Sequence, residues 1–145
     1  MKIKILIPVF NDFQSASKLI SDINSVISNL NEEISIIIVN DASTEKAEID
    51  ISNLDKISSI KIINMKQNQG HARCIATGLK HIYEKEEFDY VIPMDGDGED
   101  RPEEIKNFIQ LSGQSGERPI IGERVKRSEG LVFQLCYQFH KLLTL

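Results

Sequence analysis

The sequence predicts an α/β fold: a mostly parallel sheet with helices on both faces. Three observations predict it. Short apolar runs recur near residues 3–9, 34–39 and 88–94, of strand length and too continuous for a strand with one wet face. Longer segments between them carry apolar residues at i, i+3, i+4 and i+7 spacing, the period of a helix with one buried face. Each apolar run ends abruptly in Asn, Asp or Gly. Buried strands that alternate with helices form parallel sheets through right-handed crossovers.

The elements follow in order. Ile3, Ile5, Leu6, Ile7 and Val9 make the first strand, ended by Asn11-Asp12. Ala16, Leu19, Ile20, Ile23, Val26, Ile27 and Leu30 make a helix face, with Asp12 or Ser15 as its cap. Ile34, Ile36, Ile37, Ile38 and Val39 are the second strand, closed by Asn40-Asp41-Ala42-Ser43. Residues 44–57 are polar and read as a short helix or a loop. Ile60, Ile62 and Ile63 are a third strand, broken by Asn68-Gln69-Gly70. Ala72, Ile75, Ala76, Leu79, Ile82 and Tyr83 line a helix, and Phe88, Tyr90, Val91, Ile92 and Met94 a fourth strand. Pro102, followed by Glu103 and Glu104, suits a helix start, and Ile105, Phe108, Ile109 and Leu111 give that helix its face. Pro119, Ile120 and Ile121 read as a fifth short strand. Leu131, Val132, Leu135, Cys136, Phe139, Leu142 and Leu143 form a helical stripe that runs to Leu145 without a capping signal.

Composition bounds the function. The 145 residues suit one domain with a real core. With 41% hydrophobic and 27% charged residues the chain has enough apolar surface to fold, which excludes a disordered tail. Seventeen Lys and Arg against 22 Asp and Glu leave a net charge of −5, which disfavours DNA or RNA as a partner. No run approaches the roughly 18 apolar residues of a membrane span. The N-terminal stretch lacks a small-residue cleavage site and alternates before stopping, so it reads as a strand rather than a signal peptide. Cys74 and Cys136 lie in apolar helical patterns, as buried thiols of a reducing compartment do.

In parallel sheets ligands bind beyond the carboxyl ends of the strands. The polar residues after strands one to four should therefore meet along one rim. The acidic turn Asp95-Gly96-Asp97-Gly98-Glu99-Asp100 is the strongest of these signals. Four carboxylates so close repel one another unless a hard cation such as Mg2+ or Mn2+ neutralises them. The plain alternative is a solvated turn that caps the helix after Pro102. A calcium EF-hand fails, because its sixth position is Asp100 rather than Gly and its twelfth is Lys106 rather than Glu. Asp41 suits a hydrogen bond to a base or ribose, or a helix cap. Gly70 and Arg73 suit a phosphate at a helix start. His71 reads as a surface residue of that helix start. Arg124, Lys126 and Arg127 suit a pyrophosphate or a solvated loop. Neither a GxxxxGK[ST] loop nor a GxGxxG loop is present, and three His without a Cys-His cluster give no zinc site.

The segments IPVFND (7–12), IVNDAST (38–44), NQGHARCIATGL (68–79), MDGDGEDRPEEI (94–105) and GERVKRSEG (122–130) together resemble the family 2 glycosyltransferases of GT-A fold, most closely the polyprenyl-phosphate, dolichyl-phosphate mannose synthase-like branch. The resemblance runs through nearly the whole chain in order. It implies a Rossmann-like nucleotide-binding sheet, a nucleoside-diphosphate sugar donor, a divalent metal (Mg2+ or Mn2+) and hexose transfer with inversion. The acceptor it implies is a polyprenyl phosphate or another glycan, and it implies no nucleic acid. By the same resemblance Pro8, Val9 and Asn11 line the nucleotide pocket, Asp41 meets the base, and Asn68, Gly70 and Arg73 lie near the nucleotide. Asp95 and Asp97 are the catalytic D-x-D acids; with Glu99, where the branch often has Gln, they hold the metal. Arg124 and Arg127 meet donor or acceptor phosphate. Where the family has two acids after the second strand, the first is here Asn40.

Family members continue past the length seen here. Residues 1–145 are therefore expected to be a donor-binding domain incomplete at its C-terminus, binding nucleotide but transferring sugar poorly or not at all. Rival readings are a non-catalytic nucleotide-binding module and a nucleotidyltransferase; the latter wants a Gly-rich basic loop where Asn11-Asp12-Phe13-Gln14 stands. A cytoplasmic location is expected, at the cytoplasmic face of a membrane if the apolar C-terminal stripe docks there; the stripe otherwise suits self-association.

Overall fold

The computed structural model describes residues 1–115 and 119–122. Met1–Gln110 forms one compact unit and Leu111–Leu145 a second. In the first, β1 (Lys2–Val9), β2 (Glu33–Asn40), β3 (Ser59–Asn64) and β4 (Tyr90–Pro93) form a sheet in the order β3-β2-β1-β4. All three pairings are parallel, with Ile5 opposite both Ile36 and Ile92. The expected α/β class and parallel sheet are therefore present.

Strand alternation sends side chains to two cores. Ile3, Ile5, Ile7, Ile34, Ile36 and Ile38 face helix α1 (Phe13–Val26), where Phe13, Ala16, Leu19, Ile20 and Ile23 are buried. Ile105 and Ile109 of α3 (Glu104–Ser115) join that core. Leu6, Ile37 and Val39 face the other way, onto Cys74 and Ile82 of α2 (His71–Lys85). β1 and β2 are central strands covered on both sides, so they run continuously apolar after their first residues, and the polar Lys4 and Ser35 near their starts are buried against each other. The edge strands β3 and β4 are only half-buried.

Asp12 caps α1, its carboxylate accepting from Ser15 N at 3.1 Å, so the helix opens at Phe13, one turn ahead of its first apolar period. A 3-10 turn, Ile27–Asn29, ends that segment. Residues 44–57, expected as a short helix or a loop, form a loop; Ala47, Ile49, Leu54 and Ile57 lie against the α1 core. Asn24 of α1 pins the loop, donating to Asn53 O and accepting from Lys56 N, each at 3.0 Å.

The fifth strand expected at residues 119–121 is absent: this stretch has no strand structure. Pro119 offers no amide to a ladder, and Ile121 is 87% exposed, so three apolar residues here bury too little to order a strand. The C-terminal helical stripe, with Cys136, lies outside the described residues. Among the described residues no helix is long and apolar enough to cross a membrane.

Candidate functional site

Three loops leave the carboxyl ends of β1, β2 and β4 and meet a fourth at the start of α2. The β1 and β2 loops are stitched by one side chain. Asn11 holds a left-handed backbone, φ 51°, a conformation its amide side chain tolerates. Its Oδ1 accepts from Thr44 N at 2.7 Å and Thr44 Oγ1 at 3.2 Å, while its backbone N–H donates to Ser43 Oγ at 2.9 Å. Asn40 closes the same loop, accepting from Ser43 N at 2.9 Å and donating to Asn64 Oδ1 at 2.9 Å.

Asp41 is 3% exposed. Its two carboxylate oxygens accept from Gln69 N at 2.8 Å and Gly70 N at 2.9 Å, which anchors the loop before α2 to the end of β2. A buried carboxylate needs such partners. Gly70 sits at φ 85°, which a side chain would strain, and its carbonyl accepts from Cys74 N to begin the helix. Cys74 lies beneath, donating its thiol to Val39 O at 3.2 Å. Burial, with the Asp41 charge, pushes that thiol up to about 11, so Cys74 is a packed core group rather than a nucleophile.

Beyond this frame lies a cavity of about 210 Å³ lined by Pro8, Val9, Phe10, Asp12, His71, Asp95, Gly96 and Asp97. Of the residues expected at the site, the structure brings Pro8, Val9, Asp95 and Asp97 to its wall. Asn11, Asp41 and Gly70 are not part of the lining and form the ties just described. Asn68 is exposed and outside the lining; exposed Arg73 donates to Gln69 Oε1 at 2.7 Å. Arg124 and Arg127 lie outside the described residues. Phe10, Asp12, His71 and Gly96 line the cavity without having been singled out as site residues. For Phe10 the signal was available: a large apolar residue directly after a buried strand, here 50% exposed.

The acidic turn after β4 is internally ordered. Asp100 accepts from Asp95 N at 2.8 Å and Asp97 from Glu99 N at 2.9 Å. Asp95 Oδ1 faces His71 Nε2 at 3.4 Å. Burial is the largest cause lifting the Asp95 carboxyl above the ordinary range; His71 opposes it, and Asp100, Asp97 and Glu99 lift it further. Such a site gains from a cation. The donors are hard oxygens on a short turn, which suits Mg2+ or Mn2+. Among the described residues no three His, Cys, Asp or Glu side chains form a finished cage. Mg2+ is commonly held this way, by one or two carboxylates plus water and substrate phosphates, so the residues present fit the group.

A profile of glycosyl transferase family 2 matches residues 4–135. The chain belongs to glycosyl transferase family 2. This family 2 chain is 23% identical over 141 residues to the uncharacterized protein MJ0544 of Methanocaldococcus jannaschii, a match covering 96% of the chain and 59% of that protein. The chain thus spans about three-fifths of that relative's length. Among solved structures it is similar to S. aureus TarS 1–349, with a TM-score of 0.58 at 20% identity over 88% of this chain and 39% of that one. The complex of the same TarS fragment with UDP-GlcNAc gives a TM-score of 0.57 at 18% identity, over 88% and 38%. The parallel sheet of this family 2 chain is accordingly of the GT-A glycosyltransferase type.

Proposed function

We propose that the chain is the donor-binding part of a metal-dependent glycosyltransferase that transfers a hexose from a nucleoside diphosphate, with inversion, to a polyprenyl phosphate or another glycan. One observation carries this reading. The end of β1 (Pro8, Val9), the start of α2 (His71) and the D-x-D turn (Asp95, Asp97) converge on one cavity at the carboxyl edge of a parallel sheet. The TarS structures, solved with UDP-GlcNAc and with UDP, support a nucleotide-sugar donor for this cavity.

Roles follow from position. Pro8, Val9 and Phe10 offer an apolar wall to the nucleoside. Asp41, buried at 3% exposure, holds Gly70 and the α2 start in place. Asp95 and Asp97, with Glu99 on the same turn, would hold Mg2+ or Mn2+. When bound, that cation offsets the charge of the departing diphosphate. In the transfer the bond from the anomeric carbon to the diphosphate oxygen breaks and one to the acceptor oxygen forms from the opposite side. A phosphate acceptor is already anionic and needs no base; a hydroxyl acceptor passes its proton to one. The reading places the reaction in the cytoplasm, with Arg124 and Arg127 proposed to meet phosphate of the donor or acceptor.

Isothermal titration with UDP and GDP, with and without Mn2+, tests the reading. The expected result is metal-dependent binding of at least one nucleotide, weakened tenfold or more by Asp97→Asn. Asp97 is exposed and its loss leaves the core intact, so unchanged circular dichroism would accompany the loss. Absence of metal-dependent heat with either nucleotide contradicts the reading.

A further inference from the structure

We propose that His71 supplies a nitrogen ligand to the cation held at Asp95 and Asp97, and so biases the site toward Mn2+ or Co2+ over Mg2+. This rests on the proposed donor site and names a property of it. His71 Nε2 and Asp95 Oδ1 face each other at 3.4 Å, and both line the cavity with Asp97. That separation is longer than a charge-assisted hydrogen bond, roughly 2.7–2.9 Å. It is close to the roughly 3 Å between neighbouring donors on one octahedral ion with bonds of about 2.1 Å.

His71 is also held in place. It is the first residue of α2, and the residue before it is fixed by the buried Asp41 carboxylate through Gly70 N at 2.9 Å. The backbone is thus tied at the cavity, and the imidazole, 59% exposed, is open to a cation entering there. Asp95 is similarly fixed through its amide, which donates to Asp100. An imidazole and a carboxylate presented from two anchored backbones supply two of the six places of a mixed nitrogen and oxygen octahedron. Mg2+ keeps to oxygen and its own waters, whereas Mn2+ accepts an imidazole beside its oxygens and Co2+, further along the divalent series, favours it more.

The test is pulsed electron paramagnetic resonance of the full chain with Mn2+ and UDP or GDP, made with histidine of natural nitrogen and again with 15N-histidine. The expected result is a nitrogen modulation that changes with the label and vanishes in His71→Gln. In parallel titrations that variant should lose about tenfold in Mn2+ affinity and less than twofold in Mg2+ affinity, with unchanged circular dichroism. Bound Mn2+ without a histidine nitrogen signal, or equal losses for both metals, overturns the inference and leaves the donor site standing. Mn2+ that stays free even with nucleotide present overturns both.

Discussion

At the scale of single residues, Asp41 and Glu86 do different work. Asp41 ties two backbone amides in a buried place, so Asp41→Ala leaves both amides without an acceptor. Hydrogen bonds to a charged group are worth about 1.5–3 kcal/mol each. Urea denaturation of the variant should show a loss of about 3 kcal/mol; a loss below 1 kcal/mol would refute the tie. Glu86 lies at the other end of α2 and pairs with Lys61, with Lys4 at 3.5 Å and His81 at 3.4 Å. The Lys61 hydrogen bond, against burial, holds its carboxyl below the usual range. A depressed carboxyl contributes stability above its unfolded value and loses it as pH falls through its folded one. Glu86→Gln should therefore destabilise the chain at pH 7, by about 1 kcal/mol since the Lys61 arm is half exposed. The gap should shrink as pH falls below the ordinary glutamate value of 4.5; a gap independent of pH would assign the effect to packing. Neither role was legible in the sequence. Asp41 read as a base contact or a cap because its partners lie 28 and 29 residues downstream, a distance that only the crossover closes. His71 read as a surface helix start, and so it is; what the sequence hid was the cavity beside it.

At the scale of elements, helix α2 approaches the sheet through Gly78. A Cβ there would overlap Leu6 Cδ1 and come within 2.8 Å of Val39 Cγ2. Both neighbours are fully buried. Gly78→Ala gains about 1 kcal/mol of helix propensity and meets an overpacking penalty of about 1–3 kcal/mol. Thermal denaturation should show a lower midpoint; a higher one would mean that the helix can shift outward freely. Helical period alone could not reveal this contact, since glycine carries no apolar signal. The strands were legible for the opposite reason: β1 and β2 are covered on both faces, so nearly every residue reports burial. At residues 119–121 the same apolar signal misled, because two isoleucines behind a proline have no ladder to enter. The loop at 44–57 was ambiguous because its apolar residues are spaced to meet α1 and β3 rather than to repeat along a helix.

At the scale of the whole molecule, the sheet order β3-β2-β1-β4 brings distant loops to one edge. β1 lies between β2 and β4, so the residues after it stand beside the Asp41 frame on one side and the acidic turn on the other. Parallel alternation made that rim foreseeable. Which rim residues face the cavity and which only brace it was decided by side-chain direction, beyond the reach of pattern. The direct measurement is amide NMR of the 15N-labelled chain during titration with UDP or GDP and Mg2+. Shifts gathered at residues 8–12, 69–71 and 95–97, and dependent on Mg2+, are the predicted result. Nucleotide-induced shifts that fall elsewhere on the sheet, or that ignore the metal, would contradict a cation-bridged diphosphate at this edge.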